Sequence, residues 1–166
     1  MKPIAELIAT LARVGYMTPA PGTWGSAAAV PLFWALDLAF GVPGVIIGIV
    51  VAFVAGLWAT GVMTKGADNH DPSEIVIDEV VGQWIALLPV AIGSAMAGAP
   101  STALWPAWPT AFLAFRLFDI WKPWIIGKAD RRGDAMGVML DDVIAGVFAA
   151  LVVVAFAGVY HGIIMR

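Results

Sequence analysis

With 166 residues, 61% of them hydrophobic and only 13% charged, the chain lies well outside the usual composition of a soluble domain. Its charges, net −3, are bunched between long apolar runs, which argues against both a nucleic-acid-binding surface and disorder. Cysteine is absent, so disulfides, thiolate metal sites and cysteine nucleophiles are excluded.

Residues 1–16 carry Lys2, Glu6 and Arg13 on an apolar background, with no small-residue cleavage site after them, and read as a retained amphipathic helix at the membrane surface. Residues 17–166 form the rest of one membrane-embedded unit. Ala27–Phe40 is a short apolar segment, and Gly41, Pro43 and Gly44 make a tight turn into Val42–Met63, which is long enough to span. Val80–Gly98 is nearly long enough. Gly98, Pro100, Pro106 and Pro109 break the chain before the short segment Thr110–Trp121, and Val143–Met165 closes the sequence as another span-length helix. The expectation is an all-α, polytopic helical bundle of about four to five apolar helices, each needing roughly 20 residues to cross the hydrocarbon.

Threading these segments alternately puts the N-terminal arm, the loop Thr64–Glu79 and the loop Lys122–Asp142 on one face. Lys2, Arg13, Lys65, Lys122, Lys128, Arg131 and Arg132 fall there, Arg116 approaches it, and only Arg166 is left for the other side. That bias marks the loop face as cytoplasmic in a bacterial inner membrane. Trp105 and Trp108 on one side, with Trp121 and Trp124 on the other, suit two interfacial belts.

Three polar blocks carry chemistry. In the first, Asp71-Pro72-Ser73-Glu74 fits a helix start with a capping box, followed by Asp78 and Glu79 about two turns into a helix bound for the bilayer, where an unpaired carboxylate is costly. His70 is a candidate general acid, an orienting group or an exposed cap residue. In the second, Arg116, Asp119 and Lys122 share a helix face, since steps of three move back by roughly 60°. They suit a carboxylate facing a metal with two cations for phosphate oxygens, or a plain Arg116–Asp119 ion pair. The third block ends in Asp141-Asp142 before the last apolar helix. It repeats the double carboxylate of the first block, or merely favours a helix dipole. Asp78, Glu79, Asp119, Asp141 and Asp142 offer the hard oxygen ligands that Mg²⁺, or alternatively Mn²⁺, takes. Pro21-Gly22-Thr23-Trp24-Gly25-Ser26 presents glycines and hydroxyls before a helix, with Thr23 a candidate phosphate contact.

These residues, as P-G-T-W-G-S (Pro21–Ser26), H-D with I-V-I-D-E-V-V-G-Q (His70, Asp71, Ile75–Gln83), F-R-L-F-D-I-W-K-P-W (Phe115–Trp124) and G-V-M-L-D-D-V-I-A-G (Gly137–Gly146), resemble the phosphatidylglycerophosphatase A family in order and register. The resemblance implies an all-helical membrane protein that hydrolyses phosphatidylglycerophosphate to phosphatidylglycerol with Mg²⁺, its catalytic residues expected among Asp78, Asp119, His70 and Asp71. Attack by metal-activated water and a covalent aspartyl-phosphate on Asp78 or Asp119 both stay open. The rival readings are an ion or metal transporter and a phosphatidyl transferase. A transporter would favour groups at the midplane instead of one rim.

Overall fold

The computed structural model describes residues 1–66 and 72–160, and the described residues are helical with no strand. Six helices follow in order: α1 Lys2–Ala9, α2 Pro21–Met63, α3 Ile77–Ala97, α4 Ala107–Trp121, α5 Ile125–Asp130 and α6 Ala135–Val159. Three of them, α2, α3 and α6, are long and apolar enough to cross a membrane.

α2 is a folded-back pair of arms, residues 21–40 and 42–63. Its hinge is Gly41 at φ 61° and ψ −160°, a conformation open in practice to glycine alone. Leu36 and Gly48 would be about 18 Å apart along a straight helix. A Cβ built on Gly48 would instead lie 2.9 Å from Leu36 Cδ1, so the arms run side by side. Gly25 in the first arm and Gly56 in the second both abut the start of α3, at Val76 and Ile77. The turn expected around Gly41 is therefore present.

α3 is the central helix, buried against both arms of α2 and against α4 and α6. Small residues make this possible, because in lipid the helices associate through close packing more than through the hydrophobic effect. A Cβ added at Gly146 of α6 would collide with the Gly82 backbone of α3, and one at Gly82 would lie 2.7 Å from the Asp142 carbonyl. The indole N–H of Trp84 donates to the Ala29 carbonyl at 2.8 Å and pins α3 to the first arm. Phe33 and Trp108 meet edge to face at 5.8 Å, so α4 runs alongside that arm too. Outward-facing side chains such as Leu38, Ile47, Val54 and Leu151 are apolar, as a lipid-facing surface requires.

Several local expectations are corrected. The N-terminal arm is α-helical only over Lys2–Ala9, with a short 3-10 turn at Val14–Tyr16, because the Thr10 hydroxyl donates to the Glu6 carbonyl at 2.8 Å and accepts the Arg13 N–H at 3.1 Å. Leu11, Ala12 and Arg13 follow with positive φ. The arm is also stitched to the bundle: Ala5, Ala9 and Thr10 are fully buried, and the Val76 N–H donates to the Ala9 carbonyl at 2.8 Å. α3 begins at Ile77, not at the Asp71–Glu74 segment, so Asp78 and Glu79 stand in its first turn, where the helix dipole favours them. Glu74 lies in a turn before the helix, while His70 and Asp71 are outside the described residues. α6 starts eight residues before its apolar run, capped by Asp134, whose carboxylate accepts the Gly137 N–H at 2.7 Å. Asp141 and Asp142 are therefore two turns inside the helix and are not dipole-favoured starters. Trp108 is half-buried with its indole N–H on the Ser101 carbonyl at 3.0 Å, so it packs inside the bundle, unlike exposed Trp105.

Candidate active site

The start of α2, the start of α3, the end of α4 and the first half of α6 meet at one end of the bundle around a polar cleft of about 270 Å³. α2 contributes Pro21 and Gly22, α3 contributes Asp78 and Glu79, α4 and its cap contribute Arg116, Asp119, Ile120 and Lys122, and α6 contributes Asp141 and Asp142.

Glu79, Asp119 and Asp142 converge most closely, each offering a carboxylate oxygen within 4.8 Å of the others. The Gly82·Gly146 crossing sets this up. Where α3 and α6 touch backbone to backbone, the residues one turn earlier on each helix are brought together. Arg116 forms ion pairs with Glu79 and, at 2.9 Å, with Asp119. The Ser26 hydroxyl lies 2.7 Å from Glu79 Oε2 and accepts from Arg116 Nη1 at 3.3 Å. Gly22 completes the wall, because a Cβ there would run into Glu79 Oε1 and sit 3.4 Å from Arg116 Nη1.

Lys122 forms the other half of the cleft. It ends α4 in the left-handed conformation, φ 48°, and its ammonium bonds to Asp130 and, at 2.6 Å, to Asp141. Burial pulls the ammonium down, but its bonds to Asp130 and Asp141 outweigh that and leave it well above the usual lysine range. Lys122 therefore stays cationic. Asp130 reaches it because α5 turns back tightly, with Gly127 so close that a Cβ would lie 2.7 Å from the Lys122 carbonyl.

Of the residues singled out in the sequence, Asp78, Glu79, Arg116, Asp119, Lys122, Asp141 and Asp142 line one cleft. Thr23 does not. It is half-buried in the first turn of α2, and the polar side chain of that motif that reaches the cluster belongs to Ser26. Ser26 and Asp130 went unrecognised. The spacing of Gly22 and Ser26, one helical turn apart, was a usable signal for the first, whereas the Lys122–Asp130 pair depends on the unforeseen helix α5.

The cleft suits a hard cation. Asp142 is 3% exposed and lies within ion-pair distance of no cation among the described residues. Five carboxylates line the cleft against Arg116 and Lys122, an excess of negative charge that a bound cation or protonation of a carboxylate would relieve.

An all-helical bundle with an apolar exterior, and with carboxylates, a guanidinium and an ammonium in one rim cleft, has the make-up of a membrane enzyme acting on an anionic substrate. The phosphatidylglycerophosphatase A family model matches residues 7–157, and the chain belongs to that family of phosphatases. It is 38% identical over 133 residues to phosphatidylglycerophosphatase A of Escherichia coli, covering 78% of this chain and 70% of that protein. The Haemophilus influenzae phosphatidylglycerophosphatase A is 37% identical over 142 residues, covering 85% and 81% of the two chains. A Bacteroides thetaiotaomicron protein described provisionally as a phosphatidylinositol-3-phosphatase is 36% identical over 154 residues, 89% of each chain. No solved structure matches.

Proposed function

We propose that this protein hydrolyses the terminal phosphate monoester of phosphatidylglycerophosphate, giving phosphatidylglycerol and inorganic phosphate, with Mg²⁺ at the cytoplasmic face of the bacterial inner membrane. The observation that carries the reading is the convergence of Glu79, Asp119 and Asp142 beside two cations at the rim of an apolar bundle. Family membership supplies the reaction class, and the names of the Escherichia coli and Haemophilus influenzae relatives supply the substrate.

Glu79, Asp119 and Asp142 would hold the ion, with Mn²⁺ as a substitute. Bound there, the metal would supply charge neutralisation and a more acidic water. The chain's own residues do the rest. Arg116, held by Glu79 and Asp119 and touched by Ser26, presents its fork to two phosphate oxygens, and Lys122, at the end of the same helix, adds a point charge. Asp78 lines the cleft outside the metal-holding triad and accepts the proton of the attacking water. Water is the favoured nucleophile because Asp119 is engaged by Arg116 and Asp78 serves as the base.

The test is phosphate release from phosphatidylglycerophosphate by the purified chain. Chelation should abolish release and added Mg²⁺ restore it, and phosphatidylglycerol, a diester with two terminal oxygens and one negative charge where the monoester offers three oxygens and two charges, should not be cleaved. Metal-independent release would remove Mg²⁺ from the reading, and equal cleavage of the diester would remove the monoester site. A phosphorylated inositol lipid should be assayed beside it, since the Bacteroides thetaiotaomicron relative carries that name over 89% of its length.

A further inference from the structure

The cleft is not closed off from the lipid-facing surface. Ile120 lines it and yet is 71% exposed, so one wall of the polar site is also part of the apolar exterior. The cause lies in the helical geometry of α4. Taking Arg116 as the reference, Asp119 falls roughly 60° to one side, and Ile120, Leu113 and Leu117 fall roughly 40°, 60° and 100° to the other. Arg116 and Asp119 are turned inward to Glu79, while Leu113 and Leu117 are 65% and 59% exposed. A polar edge and an apolar edge therefore adjoin lengthwise on one helix. The apolar edge runs about 10 Å from Ile120 to Leu113, away from the cleft and toward the middle of the bundle. The cleft lining also includes the small residues Ala20, Pro21 and side-chain-free Gly22.

We infer that the cleft opens sideways at Ile120, and that the glycerol-acyl portion of the lipid lies along the Leu113–Leu117–Ile120 edge of α4 while its phosphate reaches Arg116. This rests on the proposed lipid-phosphatase reading and deepens it. An amphiphile lying across the boundary keeps its phosphate beside Arg116 and Lys122 and its chains in hydrocarbon, so it need not leave the bilayer to react. The occupant is the membrane lipid itself, because the edge is continuous with the cleft lining at one end and with the lipid-facing surface at the other.

The experiment compares kcat/KM for long-chain phosphatidylglycerophosphate and for a short-chain analogue in the same mixed micelles. Ile120→Asn and Leu117→Asn should each lower the long-to-short ratio about tenfold, through lost apolar contact with the chains. Leu151→Asn, at an equally exposed position on α6, should leave the ratio as it is. Because the chain has no cysteine, Leu117→Cys in vesicles also reports a second copy seated on the edge. A disulfide-linked dimer would overturn the lipid assignment, and no dimer supports it. The portal is overturned, with the phosphatase reading intact, if the active variants keep the wild-type ratio or if Leu151→Asn lowers it equally. Should the wild-type chain release phosphate from neither substrate, both readings fall together.

Discussion

Asp78–Glu79 and Asp141–Asp142 look interchangeable in sequence, each a double carboxylate ahead of an apolar helix, yet the fold uses them differently. The pairs share a local device. In each, the first residue accepts the backbone N–H of the second, Glu79 N–H to Asp78 Oδ1 at 2.9 Å and Asp142 N–H to Asp141 Oδ1 at 3.0 Å. In each, the second residue turns to the common cluster with Asp119. Their placement separates them. Asp78–Glu79 occupies the first turn of α3 and has the helix dipole in its favour, whereas Asp141–Asp142 is two turns inside α6 and has no such support. Asp141 is compensated by Lys122 and Glu79 by Arg116, but Asp142 has no ion-pair partner among the described residues. Similar sequence thus yields one pair that the local fold supports and one whose inner member is buried with no ion-pair partner among the described residues.

If that contrast is right, the largest effect belongs to the converging second residues. Glu79→Gln and Asp142→Asn should each lower turnover by about 10² or more, as expected when a preorganised charge is lost, and should weaken Mn²⁺ binding followed by electron paramagnetic resonance. Asp142→Asn should also raise the apparent thermal stability of the metal-free protein, because it removes a buried carboxylate with no ion-pair partner among the described residues. Glu79→Gln should not, since it removes one of the two carboxylates paired with the Arg116 guanidinium. Folded variants with normal turnover and normal Mn²⁺ binding would sink the metal assignment.

The first residues should separate from the second, and from each other. Asp78→Asn should lower kcat by roughly 10², within the usual contribution of general base catalysis, while Mn²⁺ affinity stays close to wild type. Asp141→Asn should act through Lys122, raising KM about tenfold with a smaller change in kcat, as for a lost binding contact. If Asp78→Asn abolished metal binding, the division of labour between the two members of the pair would be wrong.

Much of the site was legible in the sequence because its chemistry is local. Carboxylates and cations set among long apolar runs are costly to bury, so Glu79, Asp119, Arg116 and Asp142 stood out from their residue type and context alone. Helix starts were less legible. Pro72 with Glu74 suggested a capped beginning for α3, but the buried bond from the Val76 N–H to the Ala9 carbonyl ties that stretch to the N-terminal arm and delays the helix to Ile77. No local pattern encodes a contact between residues as far apart in the chain as Ala9 and Val76. α5 escaped notice for a similar reason. Its six residues are too few to show helical periodicity, and its course depends on Gly127 fitting against the Lys122 carbonyl. Thr23 and Ser26 are hydroxyls of one motif, and the rotation of α2 against α3 brings Ser26, one turn after Gly22, to the cluster.

The smallest predicted effect tests the crossing that brings the two second residues together. A Cβ at Gly146 would meet the Gly82 backbone, with its carbonyl carbon and Cα both 3.0 Å away, and backbone cannot move aside as a flexible side chain can. Gly146→Ala should therefore cost about 1–3 kcal/mol in overpacking, against which the better helix propensity of alanine returns at most about 1 kcal/mol. Gly158, farther along the same helix, has nothing within 4 Å of its hypothetical Cβ, so Gly158→Ala should be neutral or slightly stabilising. Thermal unfolding of the two variants in one detergent isolates the crossing, because the substitution and the helix are the same. Gly146→Ala should also lose a few-fold in turnover, since separating α3 from α6 by a few tenths of an ångström moves Asp142 relative to Glu79. Equal stability and equal turnover in the two variants would mean that the close approach of α3 and α6 does not set the geometry of the cluster.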